Sequence, residues 1–233
     1  MPVYDPPRND IDRLAFLKRA VATGEEDIAA GKTYATGDTL NKSKLFIGEF
    51  APVVSAVSEK SSERSKEVRE KAEATKLVEV FMRDIWEVLK RRVNREDQPA
   101  EVLNYYLLTL DGTVPKPSGR EALMTMAEQV VHGDADAVAA GFPAMVNPSA
   151  ADLKARINNA RTEAADVAGA DRAYDEAQEA AENLREHADD LIDDIAAELR
   201  FNLRKKDPAS RRRIMRTYGV KYRYLKGEPV EAD

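Results

Sequence analysis

The sequence predicts an all-α protein: an elongated antiparallel long-helix hairpin, a coiled-coil-like helical bundle, with a small helical head and an extended C-terminal tail. Three observations carry this. The stretch from Ser149 to Asp207 holds no proline and one glycine, Gly169, and Leu153, Ile157, Ala160, Ala164, Val167, Ala170, Tyr174, Ala177, Ala181, Leu184, Ala188, Leu191, Ile195 and Leu199 recur through it every third or fourth position. Such a seam marks one helix face packed on partner helices. A second seam runs through Val57, Ser61, Ser65, Val68, Ala72, Thr75, Val78, Met82, Ile85, Leu89 and Val93. Third, 43% hydrophobic and 33% charged residues suit a water-exposed, mostly helical chain. At about 1.5 Å per residue the Ser149–Asp207 helix is roughly 85 Å long, which a compact globule of this size does not enclose.

Taken in order, the pattern divides into an N-terminal arm and first helix (1–35), a long helical arm (36–95), a small helical insert (96–147), a long helix (148–207) pairing with 53–95, and a basic, tyrosine-containing tail (208–233). Pro2, Pro6 and Pro7 make the first nine residues an extended arm. Asn9 or Asp10 caps the first helix, whose apolar face is Ile11, Leu14, Leu17 and Val21; it ends at Gly24 or near Gly31. Ala30-Gly31-Lys32-Thr33 looks superficially like a phosphate-binding loop. It lacks the required earlier glycine, having Glu26 there, and follows a helix instead of a strand, so no nucleotide site is assigned.

A second helix starts at Thr36 or Asp38, and Pro52 is expected to kink or break it before the seam from Val57 begins. Ser61, Ser65 and Ala72 are small enough to let the two long helices approach closely; the alternative is a solvated, weakly packed segment. In the insert, turn signals at Pro99, Asp111-Gly112, Pro115 to Gly119, His132-Gly133-Asp134, Gly141 to Pro143 and Asn147-Pro148 leave room for short helices at 100–110, 119–131 and 135–140. Tyr105, Leu107, Leu108, Leu110, Leu123, Met126, Val130, Phe142 and Met145 form its expected core, and His132 stands at an expected helix end. Along the last long helix the seam slips phase at Ala164, Val167 and Ala170, predicting an irregularity or bend near Gly169.

After Pro208 a short basic helix should end at Gly219. Tyr218, Val220, Tyr222 and Tyr224 then alternate with Gly219, Lys221 and Arg223, the period of a strand. No other segment shows a matching alternation. The strand is therefore expected to pair with another chain or to lie as an extended peptide on helices.

The net charge of −6 conceals two opposed stretches. Arg200 to Lys226 has eleven basic residues and one acidic, whereas Thr162 to Glu198 has thirteen acidic and two basic. Such surfaces complement each other within one chain or between copies. The candidate assembly residues are Arg211, Arg212, Arg213, Arg216, Tyr218, Tyr222 and Tyr224 as donors, with Asp189, Asp190, Asp193 and Asp194 as acceptors. A head-to-tail contact of this kind closes into a ring or propagates as a filament.

Enzyme chemistry finds no support. There is no cysteine, only two histidines, and no nucleophile with a base at a telling spacing. His187, Asp190 and Asp194 share a helix face, but one helix offers a poor coordination shell, so they read as a solvated acidic face and no metal or other cofactor is expected. Asn41-Lys42-Ser43 is a formal glycosylation acceptor without a secretory signal to use it. Leu45 to Val57 is too short and too polar, with Glu49 and Pro52, for stable membrane insertion. The expected role is a non-enzymatic structural protein, cytoplasmic by default with export lacking a cleaved signal left open. Its expected partner is itself, in a homo-oligomer or filament formed through the termini, or another protein. Nucleic acid bound by the basic tail is the less favoured alternative, since the chain as a whole is acidic.

Overall fold

The computed structural model describes residues 3–224. Asn9 caps the first helix, α1 (Asp10–Ala29), its side chain accepting the Asp12 amide at 2.8 Å. Gly31, at φ 74°, turns the chain out of that helix. The segment that looks like a phosphate loop is thus a helix end, in which Lys32 donates to the Asp27 carbonyl and pairs with its carboxylate at 3.7 Å. Gly24 does not end α1; it is buried within it, beside Leu40.

One continuous helix, α2 (Gly37–Asn94), replaces the expected pair. Proline in a helix removes a donor and crowds the carbonyl four residues back. Here that residue is Gly48, and both Gly48 and Pro52 are exposed, so the carbonyl left without its helical donor is on the solvent side and the helix continues. Pro52→Ala is therefore expected to raise the unfolding free energy by about 1–2 kcal/mol in urea titration. A fall instead would mean that the local curvature is needed to seat Phe50 and Val54, which are buried.

The other elements are a 3₁₀ helix (Ala100–Tyr106), α3 (Arg120–Ala139), α4 (Ala150–Asn202), α5 (Pro208–Thr217) and two short strands, β1 (Val3–Asp5) and β2 (Lys221–Arg223). The chain divides into two compact units: Met1–Ser61 with Ala173–Asp233, and Ser62–Arg172. Helices α2 and α4 each pass through both, and in each they run antiparallel. In the first unit Phe46 meets His187, and Thr36 and Thr39 meet Glu198. In the second, Arg64 pairs with Asp171 at 2.5 Å and Arg156 covers the Phe81 ring at 4.9 Å.

Every predicted seam position of α4 is buried or half-buried. The helix is unbroken at Gly169, and the boundary between the units falls just beyond, after Arg172. By the same measure the α2 seam holds from Thr75 onward, with Val57 half-buried before it. Ser61, Ser65, Val68 and Ala72 are exposed, and no residue between Val54 and Ala74 is buried. This stretch of α2 is thinly covered, although Arg64 still reaches Asp171 of α4 from it, and Ala74 is the first buried residue after Val54.

The first core gathers Phe16, Leu17, Phe46, Phe50, Ile192, Ile195, Leu199 and Tyr218. The second gathers Met82, Ile85, Trp86, Leu89, Leu103, Tyr106, Val130, Leu153 and Ile157. In the insert, Trp86 donates its indole N–H to the Tyr106 carbonyl at 2.8 Å. The Tyr106 hydroxyl donates to Asp134 at 2.6 Å, and Asp134 also accepts the Met145 amide at 2.9 Å. Leu110, assigned to this core, is 58% exposed. The turn expected at His132-Gly133-Asp134 does not form: α3 runs through it, leaving His132 exposed in mid-helix. Gly133 serves close packing instead, because a Cβ there would lie 1.6 Å from the Tyr105 carbonyl oxygen.

Candidate interaction surface at the joined termini

Asp207 caps α5, accepting the Ser210 amide at 2.9 Å, with Pro208 at the first helical position. The Ser210 hydrogen bonds hold the Asp207 carboxyl below its ordinary range. At the far end Gly219, φ 96°, reverses the chain, and the Val220 amide returns to the Met215 carbonyl at 3.2 Å. The backbone of Phe16 is close enough that a Cβ on Gly219 would touch its Cα at 3.4 Å. The tail therefore packs on α1.

The strand expected to seek another chain finds its partner at the other terminus. Val3, Tyr4 and Asp5 pair antiparallel with Arg223, Tyr222 and Lys221. Three residues are too few to display a period of two, so β1 left no trace in the pattern. The alternation from Tyr218 to Val220 belongs to the end of α5 and its turn, not to a strand.

The three candidate tyrosines are engaged within the chain. Tyr218 is fully buried and donates its hydroxyl to Asp27 at 2.9 Å; burial first, then that carboxylate, pushes its pKa far above the ordinary tyrosine value. Tyr222 is half-buried, its hydroxyl donating to the Met215 sulfur at 3.1 Å. Burial raises the Tyr222 pKa, while Arg211, Arg212, Arg216 and Arg200 oppose the rise, which locates a concentrated positive field around its ring. Tyr224 is half-buried and hydrogen-bonded to Arg216.

The candidate arginines separate by exposure. Arg211, Arg212 and Arg216 are half-buried, whereas Arg213 is exposed; Arg211 and Arg213 make no ion pair among the described residues. Beside them lies an open cleft of about 650 Å³, lined by Arg19, Arg213, Arg216, Lys221, Asp5 and Tyr222 among others. Arg19 comes from α1 and is fixed by its Nε donating to the Thr217 carbonyl at 3.1 Å. Neither Arg19 nor Asp5 was legible as a site residue, since each stands about two hundred positions from the tail it joins, beyond any local pattern.

The acidic candidates also separate. Asp189 is held by Arg13 through two bonds of 2.8 and 2.9 Å, and Asp10 of α1 holds Arg185 at 3.0 Å. Asp190, Asp193 and Asp194 remain exposed. Asp193 reaches electrostatically to Tyr4, whose pKa is pushed up to about 12 by burial and then by that carboxylate, against the opposing effect of Arg200. His187 stacks on Phe46 with ring centroids 4.5 Å apart. Elsewhere Glu67, Glu163 and Asp166 lie within 4.8 Å of one another, where Lys66 pairs with Glu67 at 3.4 Å and with Glu70 at 3.3 Å, a mixed-charge surface. The formal glycosylation acceptor lies within α2, with Ser43 buried and bonded to the Thr39 carbonyl at 2.9 Å. Among the described residues no helix is long and apolar enough to cross a membrane. Residues 225–233, the remainder of the basic tail, lie outside the described residues. Compared with known families, curated proteins and solved structures, the chain matches none.

Proposed function

We propose that the chain is a non-enzymatic structural protein that self-associates through the surface formed by its joined termini. The cationic face of α5 in one copy meets the exposed carboxylates of α4 in the next. The observation that carries this reading is the way the tail folds. It packs on α1 without spending its outward cations on the acidic helix of its own chain, so Arg211 and Arg213 stay unpaired among the described residues while Asp190, Asp193 and Asp194 stay exposed. Because donor and acceptor are different patches, the contact repeats head to tail, giving a ring or filament.

Electrostatic contacts at an exposed rim add about 0.2–1 kcal/mol each and are screened by salt. Association is therefore expected to weaken as ionic strength rises. Arg211→Glu with Arg213→Glu should weaken it at least tenfold in light scattering. Asp190→Arg with Asp194→Arg should do the same, and mixing the two variants should restore a complex. A chain monomeric at every concentration and ionic strength, or charge reversals without effect, would end this reading.

The nucleic-acid reading draws on the same cations and is the less favoured, because its tyrosines are engaged within the chain and Tyr222 and Tyr224 are half-buried. Tyr218 is buried, and the Tyr222 hydroxyl is bonded to the Met215 sulfur, which leaves less ring surface for stacking on bases.

A further inference from the structure

We infer that a groove along α2, within the unit Ser62–Arg172, is a binding site for a small amphipathic carboxylate, an alkyl chain with one negative head. The groove has a volume of about 470 Å³ and opens between α2 and Arg120 at the start of α3. Its α2 side is formed by Val68, Ala72, Thr75 and Glu79, whose spacings of four, three and four put them on one helix face. Lys71 and Lys76 flank that strip.

The strip is apolar where an alkyl chain would lie. Val68 is 48% exposed and Ala72 is exposed, although both hold positions that an amphipathic helix ordinarily turns toward a partner. Thr75 donates its hydroxyl to the Lys71 carbonyl at 2.8 Å, which leaves little polarity on that side. Lysine stems widen such a surface while their ammonium groups stay at its edge. At about 1.5 Å per residue the strip from Val68 to Glu79 is roughly 16 Å long, room for a medium-length alkyl chain.

Charge points to an anionic head. From Lys66 to Arg83 every carboxylate of α2 already has a cation: Lys66 holds Glu67 at 3.4 Å and Glu70 at 3.3 Å, Arg69 holds Glu73 at 3.9 Å, and Arg83 holds Glu79. Glu163 and Asp166 of α4 gather around Glu67, outside the groove lining. Lys71 and Lys76 are the two cations of this stretch whose ammonium groups make no ion pair or hydrogen bond among the described residues. Arg120 is committed to the Ala160 carbonyl at 3.1 Å and to Glu121 at 3.0 Å, and serves as the far wall. Two ammonium groups, compact point charges without the planar fork that suits phosphate, fit a single carboxylate head above an apolar floor. Size favours a small ligand over a docked helix: the volume falls within the range of about 300–1,000 Å³ for small-molecule clefts, whereas a helix with its side chains is about 10–12 Å across.

The test is calorimetric titration of the full chain with dodecanoate, kept below the concentration at which it self-associates, alongside dodecyltrimethylammonium, acetate and phosphatidylglycerol vesicles. One saturable dodecanoate per chain is expected, tighter than the cationic amphiphile and than acetate by tenfold or more, with a melting temperature that rises as ligand is added. Lys71→Gln with Lys76→Gln should weaken binding about tenfold. Ala72→Leu should weaken it at least as much by filling the floor, and because Ala72 is exposed and leucine is nearly as good a helix former, the fold is left intact. Lys18→Gln, an exposed cation of α1 outside the groove, should change nothing. The inference is overturned by absence of saturable binding, by equal binding of the cationic amphiphile, by a melting temperature that falls with dodecanoate, or by binding to vesicles alone. Equal losses from Lys18→Gln and the Lys71, Lys76 pair, or an Ala72→Leu chain that binds as before, would overturn it as well.

Discussion

Gly133→Ala is expected to lower the unfolding free energy by about 3 kcal/mol or more, although helix propensity taken by itself forecasts the opposite. Alanine in place of a mid-helix glycine ordinarily stabilises by about 0.5–1 kcal/mol, because less backbone entropy is lost on folding. At Gly133 a Cβ would lie 1.6 Å from the Tyr105 carbonyl oxygen and 2.7 Å from the carbonyl carbon. The obstacle is backbone, with no rotamer to move aside, so α3 must separate from the 3₁₀ helix. That separation loosens Ala127, Val130 and Ala137, which are buried with no measurable exposure, and strains the Tyr106 to Asp134 bond. Overpacking of a well-filled core costs about 1–3 kcal/mol before those losses are added. Gly169→Ala provides the matched comparison. Nothing lies within 4 Å of a Cβ built there, so this variant should gain about 0.5–1 kcal/mol. Urea unfolding of the pair decides the matter, and equal signs would show that the packing around Gly133 is looser than its geometry states.

The contrast between these two glycines also explains what was legible in the sequence. The α4 seam was readable because helical periodicity is local: any window containing Leu184, Ala188, Leu191 and Ile195 reports the same face. Proline and glycine carry no such certainty, since their meaning depends on what lies opposite. Pro52 looked like a break and is tolerated because it faces water, while Gly133 looked like a turn and is a contact point. Ser61, Ser65 and Ala72 fitted a close-packed face and a solvated one equally well, and the pattern could not choose. The candidate surface was half visible. A run of arginines in α5 announces itself in sequence, whereas the pairing of β1 with β2 and the convergence of Arg19 on the cleft arise only when the two termini meet.

Removal of everything after Asp207 is expected to unfold the unit formed by Met1–Ser61 and Ala173–Asp233, well beyond the loss of a charged appendage. Met215, Tyr218 and Val220 are 4%, 0% and 2% exposed and belong to the same core as Phe16, Leu17 and Leu203. Burying each such side chain contributes about 1.5–3 kcal/mol, so the three together approach the whole net stability of a typical domain. The truncation also strips Asp27 of the Tyr218 hydroxyl and β1 of its partner strand. Amide hydrogen exchange should show protection lost across α1 and across α4 from Ala188 to Leu203, and Tyr218→Ala should reproduce part of it at a cost of about 3–5 kcal/mol. A truncated chain that keeps α1 protected would show that the tail contributes little to this core. The expected outcome bears directly on assembly. A truncated protein that fails to associate would have lost its folded donor surface along with its cations, so its behaviour in light scattering says nothing about which was needed. Charge reversal at Arg211 and Arg213 separates the two, because neither makes an ion pair among the described residues and the buried faces of α5 are left in place.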